Sequence, residues 1–197
     1  MLPLVLCIVG VFVSASSTPV AVGSHSWRVN EVFSNASGTI QFVELAECCG
    51  MANETSVSGL ALTSTANSFP LPANLPVGST ANAHILFGTA AFASLPGAPA
   101  PDHIIPDGFF DINTDTLQWH IYAPSVLNIA SGQLPLDGFN SLSQSGVPGP
   151  NTPTNFAGQS GQINLAVVPA FPLIGLLSLV GLLGVAGALL IRRTRRA

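Results

Sequence analysis

Residues 171–191, FPLIGLLSLVGLLGVAGALLI, run for 21 positions without a charge and end against RRTRR. At about 1.5 Å per residue a helix of that length covers roughly 30 Å, the depth of one hydrocarbon core. Gly175, Gly181, Gly184 and Gly187 are tolerated in a membrane helix, and Pro169 and Pro172 stand at its entry, where proline costs little. A buried core helix would rarely be uncharged over this length. The run therefore predicts a single span. Arg192, Arg193, Arg195 and Arg196 then form the stop-transfer cluster that stays on the cytoplasmic side.

The rest of the chain supports that orientation. Its 197 residues contain five basic side chains, all arginine, and four of them are in this tail. Ahead of it, Arg28 stands against nine carboxylates, a formal charge of −8. Such a body crosses a membrane readily and is a poor partner for nucleic acid, which needs clustered cations. The N-terminus opens with an apolar run at 2–13, too short to span, followed by small residues including Ser14 and Ala15. It is read as a signal peptide over 1–15.

Between these ends, apolar runs are short and turn residues frequent. Leu117, Trp119 and Ile121 alternate with polar partners over 116–122, the clearest strand. Further strands are expected at 27–33, 39–46, 60–64, 83–88, 126–129 and 163–167. The turn Asn35-Ala36-Ser37-Gly38 makes 27–46 a hairpin. One short helix is expected at 89–95, capped by Thr89, with Phe92 and Leu95 on one face. This pattern predicts an all-β sandwich over 24–140. Residues 141–166 are low in apolar side chains. They read as a linker holding the domain off the membrane or, alternatively, as a long ordered loop pinned by Phe156.

Several constellations carry chemistry. Cys48 and Cys49 are adjacent, and Cys7 leaves with the signal peptide. The pair admits a vicinal disulfide, two thiols, an intermolecular bridge or a metal site. Asp111, Asn113 and Asp115 repeat the first half of a calcium loop, with oxygen ligands at positions 1, 3 and 5. The second half is missing: Thr116 stands where glycine is needed and Tyr122 where glutamate is needed. The competing reading is a polar turn. Glu31 and Glu44, on adjacent strands of the hairpin, require solvent, a cation or backbone N–H donors. Asp102-His103 offers a base and its orienter. His25, His84 and His120 are scattered. The sequence carries no nucleophile elbow, HExxH, phosphate loop or dinucleotide fingerprint, so no catalytic residues are assigned and the chain is expected not to be an enzyme.

The pairing of VNEVFSN (29–35) with QFVELAE (41–47), followed by SGLALTS (58–64), resembles the start of bacterial lamin-tail-like domains. The stretch HILFGTAAFASLPGAPAPDHIIPDGFF (84–110) is similar to the middle of their exported relatives. The resemblance implies an immunoglobulin-like β-sandwich with a binding or structural role. The C-terminal layout resembles the PEP-CTERM type of sorting signal, although Val168-Pro169-Ala170 lacks the glutamate of the recognition motif. It implies a sorting peptidase acting near Pro169. The expected function is an exported, membrane-tethered, non-catalytic surface module with an envelope, matrix or protein ligand. Carbohydrate- or calcium-dependent binding of lectin type is the alternative, and an unfamiliar hydrolase a third class.

Overall fold

The computed structural model describes residues 24–76, 78–120 and 125–165. The signal segment 1–15, Pro169, the apolar run and the four terminal arginines lie outside the described residues. Among the described residues no helix is long and apolar enough to cross a membrane.

The described residues of the body are mostly β, with two sheets and one short helix. β1 (Trp27–Ser34), β2 (Gln41–Glu47), β5 (His84–Thr89), β6 (His103–Ile105), β9 (Asn140–Ser143) and β10 (Pro148–Pro150) form a six-stranded sheet in the order β10-β9-β1-β2-β5-β6. β3 (Ala61–Thr63), β4 (Ser68–Pro70), β7 (Asp115–Trp119) and β8 (Val126–Ile129) form a four-stranded sheet in the order β4-β3-β7-β8. All pairings are antiparallel except β5 with β6. Val29, Val43, Leu45, Ile85 and Phe87 of the larger sheet share one buried cluster with Leu62, Leu117, Trp119 and Ile129 of the smaller one. That layering is a sandwich.

A bulge in β1 decides what faces where. The register shifts between Val29 and Glu31. Strict alternation from Trp27 and Val29 would send Glu31 and Phe33 into the central core. One extra residue, Asn30, reverses the phase. Val32 joins the central core instead, and Phe33 packs on the outer face with Phe42, Leu86 and Phe92. Phe33 and Phe42 stack with centroids 5.5 Å apart, and Phe42 meets Phe92 at 5.3 Å. Phe92 is the buried residue of α1 (Ala90–Ala93), whose first turn is capped by the Thr89 hydroxyl accepting from Phe92 N. A Cβ on Gly88 would lie 2.6 Å from the Phe92 ring, so only glycine lets the helix dock this closely.

The hairpin 27–46 forms with β1 and β2 as its arms. Three expectations change. Of the strand foreseen at 116–122, Thr116–Trp119 lie in β7, His120 turns to a left-handed φ of 50°, and residues 121 and 122 lie outside the described residues. Ile163 to Leu165, the described part of a predicted strand, joins no ladder. Ile163 N donates to the Asn151 side chain and Leu165 N to the Gly138 carbonyl.

The third change is larger. The sandwich does not stop at 140, and 141–161 is no free linker. β9 adds to β1, β10 adds to β9, and residues 151–165 run on as an ordered strap across the outer face of the larger sheet. Phe156, the anchor foreseen for an ordered loop, does pack against the core. Backbone contacts do as much. A Cβ on Gly161 would sit 2.1 Å from the Gly97 carbonyl oxygen, so glycine alone allows the strap to lie against the loop after α1.

Candidate functional site

The strap is held by carboxylates. Thr152 N donates to Glu31 at 2.9 Å, Thr154 N to Glu44 at 2.6 Å and Phe156 N to Asp102 at 2.9 Å. An extended chain turns every second N–H to the same side. Three consecutive such groups thus meet three acids, set out in strand order from β1 through β2 to the segment before β6. Asp102 also accepts from Leu86 N on β5, at 2.8 Å, which fixes it to the sheet.

Glu31 and Glu44 are buried, at 5% and 1% exposure. Such acids require partners. Glu31 has the Ser141 hydroxyl at 2.6 Å and the Thr152 hydroxyl at 3.0 Å besides the strap N–H. Glu44 has the Asn30 amide at 2.7 Å and His84 Nδ1 at 2.9 Å. Burial pushes the Glu31 carboxyl above its ordinary range, against the Ser141 and Thr152 hydrogen bonds, and the Glu44 charge adds to the rise. The hydrogen bond to Glu44 raises the His84 imidazole, outweighing its partial burial. Backbone N–H groups, two hydroxyls, the Asn30 amide and His84 thus supply the partners this pair needs.

The same device recurs throughout the body. Glu31, Glu44, Glu47, Glu54, Asp102, Asp111, Asp115 and Asp137 each accept at least one backbone N–H. With Arg28 as the body's single permanent cation, its acids are satisfied by amides.

Asp111, Asn113 and Asp115 do come together, around a cleft of about 440 Å³ walled also by Ser37, Thr65 and Asn67. Three of their carboxylate oxygens are already engaged. Asp111 Oδ1 accepts from Asn113 N and Thr114 N. Asp115 accepts from Thr65 N and Oγ1, Thr116 N and Asp111 N, at 2.6 to 2.7 Å. The donors hold Asp111 below the usual carboxylate range, Asn113 N foremost. This is the geometry of a turn tied by its own acids.

Cys48 and Cys49, both exposed past the end of β2, are joined by a disulfide. Glu47 lies with them, and the three form the one grouping of potential metal donors within 4.8 Å among the described residues. A disulfide supplies no thiolate. Glu47 is committed as well, accepting from Cys49 N, Gly50 N and Asn82 N at 2.8 to 3.0 Å. Burial raises its carboxyl, but the donors led by Asn82 N more than offset this and hold it below the ordinary range.

Asp102 and His103 line a cavity of about 210 Å³ with Pro72, Leu75, Pro76 and Phe156. The His103 ring lies tilted against Phe87 at 5.2 Å and Phe69 at 5.9 Å. Burial lowers its pKa, against the Asp102 charge. The described residues lining the cavity include no hydroxyl or thiol to act as nucleophile. Among the described residues the exposed large apolar side chains, Met51, Ile104, Leu136 and Val147, include no aromatic.

Sequence reasoning allowed an ordered loop pinned by Phe156 but missed the strap's attachment to the three acids. Its signal was the spacing of Thr152, Thr154 and Phe156 in NTPTNF, which resembles any low-complexity stretch until the acids facing it are known. No family model, no curated protein and no solved structure matches the chain.

Proposed function

We propose that this chain is an exported, membrane-tethered surface module that binds or scaffolds rather than catalyses, its body a lamin-tail-like sandwich of immunoglobulin type. The observation that carries the reading is the use of charge: eight carboxylates are spent on backbone N–H groups that fix loops and the strap. A rigid presented surface needs that. General acid–base catalysis by carboxylates needs acids held in reserve. An exposed disulfide supports an oxidising compartment. The uncharged run with its terminal arginines supports a tether, and a sorting peptidase near Pro169 would decide whether the tether is retained.

Intact-mass measurement on fractionated cells tests this. The expected species is membrane-associated, lacks residues 1–15 and is about 2 Da lighter than its reduced form. A full-length chain in the cytosol would overturn the reading. The cleft beside Asn67, Asp111 and Asn113 favours carbohydrate binding as a second reading. A glycan array with no signal from the full chain removes it.

A further inference from the structure

The vicinal pair has surroundings that a merely structural bridge does not need. Arg28 Nη2 lies 4.0 Å from Cys49 Sγ. The turn carrying both cysteines is fastened by Glu47, which takes Cys49 N and Gly50 N, and Cys48 N donates to the Ser26 carbonyl. The turn therefore keeps its anchors when the sulfur–sulfur bond opens. Both residues are exposed.

We propose that Cys48–Cys49 is a thiol–disulfide exchange site whose co-substrate is an exposed dithiol on another protein. A thiolate of that dithiol attacks Cys48 Sγ. The Cys48–Cys49 bond breaks, a mixed disulfide forms on Cys48, and Cys49 leaves as a thiolate beside the Arg28 guanidinium. The partner's second thiolate then attacks its own sulfur in the mixed disulfide and releases Cys48 as a thiolate. The partner ends as a disulfide. The chain ends as a dithiol, having gained two electrons and, once both thiolates protonate, two protons. The Glu47 carboxylate lies within 4.8 Å of both sulfurs and so does not favour one over the other, whereas Arg28 is placed against Cys49. A neighbouring cation lowers a thiol's pKa, and a lower pKa makes the better leaving group, so the geometry assigns attack to Cys48 and departure to Cys49.

The test uses the full chain in detergent, dithiothreitol as the dithiol and glutathione as a monothiol. After acid quench and alkylation, intact mass should show the folded chain reduced by dithiothreitol at a rate within about tenfold of the urea-unfolded chain. Fragmentation after a brief glutathione pulse should place the adduct on Cys48 and the alkyl group on Cys49. Arg28→Gln should slow reduction roughly threefold, and Arg28→Lys should restore it. A disulfide reduced only after unfolding, or an adduct on Cys49, overturns the proposal. Both of those readouts use the unmodified chain, so they hold even where Arg28→Gln fails to fold.

Discussion

Glu31 and Glu44 are direct cross-strand partners in β1 and β2, and both carboxylates are buried beneath the strap that joins them. Like charges in that relation destabilise a sheet unless each is separately satisfied. Here the bulge at Asn30 brings Glu31 to the outer face, and the Asn30 amide itself supports Glu44.

The pH dependence of stability separates Glu31 from Glu47. Burial holds Glu31 above its ordinary 4.5, so the folded chain binds that proton more tightly than the unfolded chain. Its contribution to stability grows as pH falls through the raised value toward 4.5. Glu47 is held below 4.5, so its contribution is complete above 4.5 and is lost as pH falls through the depressed value. Urea melts across this range should show Glu31→Gln flattening the wild-type curve above 4.5. Glu47→Gln should cost about 1–3 kcal/mol near neutrality, with the deficit closing in acid. Difference curves of the same slope would refute the assignment.

Removing one strap N–H should matter more than removing its side chain. Thr154→Pro deletes the donor to Glu44 and leaves a buried carboxylate short of a partner, at a cost of about 1–3 kcal/mol. Thr154→Ala keeps the N–H and should cost well under half as much. Denaturant midpoints decide it, and equal losses would mean that the backbone bond contributes little.

Gly161→Ala should destabilise by at least about 2 kcal/mol, because its Cβ would enter the Gly97 carbonyl. Gly149→Ala is the control: its Cβ meets nothing within 4 Å, and its change should stay within about 0.5 kcal/mol. Thermal melts of both variants compare the two sites.

Calcium should leave the melting temperature of the full chain unchanged, since Asp111 Oδ1 and both Asp115 carboxylate oxygens already accept N–H and hydroxyl donors. Asp115→Ala should cost about 2–3 kcal/mol by stranding those donors. A calcium-dependent rise in the melt would return the loop to the metal reading.

What could be read from the sequence was local. The alternation around Leu117 and Trp119, the turn at Asn35–Gly38 and the Thr89 cap are decided by residues a few positions apart, and the structure contains them. The strap depends on pairings such as Thr152 with Glu31 and Thr154 with Glu44, separated by 121 and 110 residues. Polar side chains that look like linker material are there because their backbone amides, which have no sequence signature, face acids on the sheet. The bulge was hidden for a related reason: Asn30 reads as an ordinary outward position until the burial of Val32 and Phe33 on opposite faces is known.

The strap also sets how the body would bear a load. A pull applied at residue 165 does not shear the sheet. It first meets Leu165 on Gly138, Ile163 on Asn151 and Gly161 on Pro153, where the segment folds back on itself, and only then the bonds of Phe156, Thr154 and Thr152 to the acids. Bonds loaded one after another yield at low force, and freeing 151–165 would lengthen the chain's reach by about 50 Å while β1, β2 and β5 stay paired. The segment would act as a fuse, giving slack before the sandwich is strained.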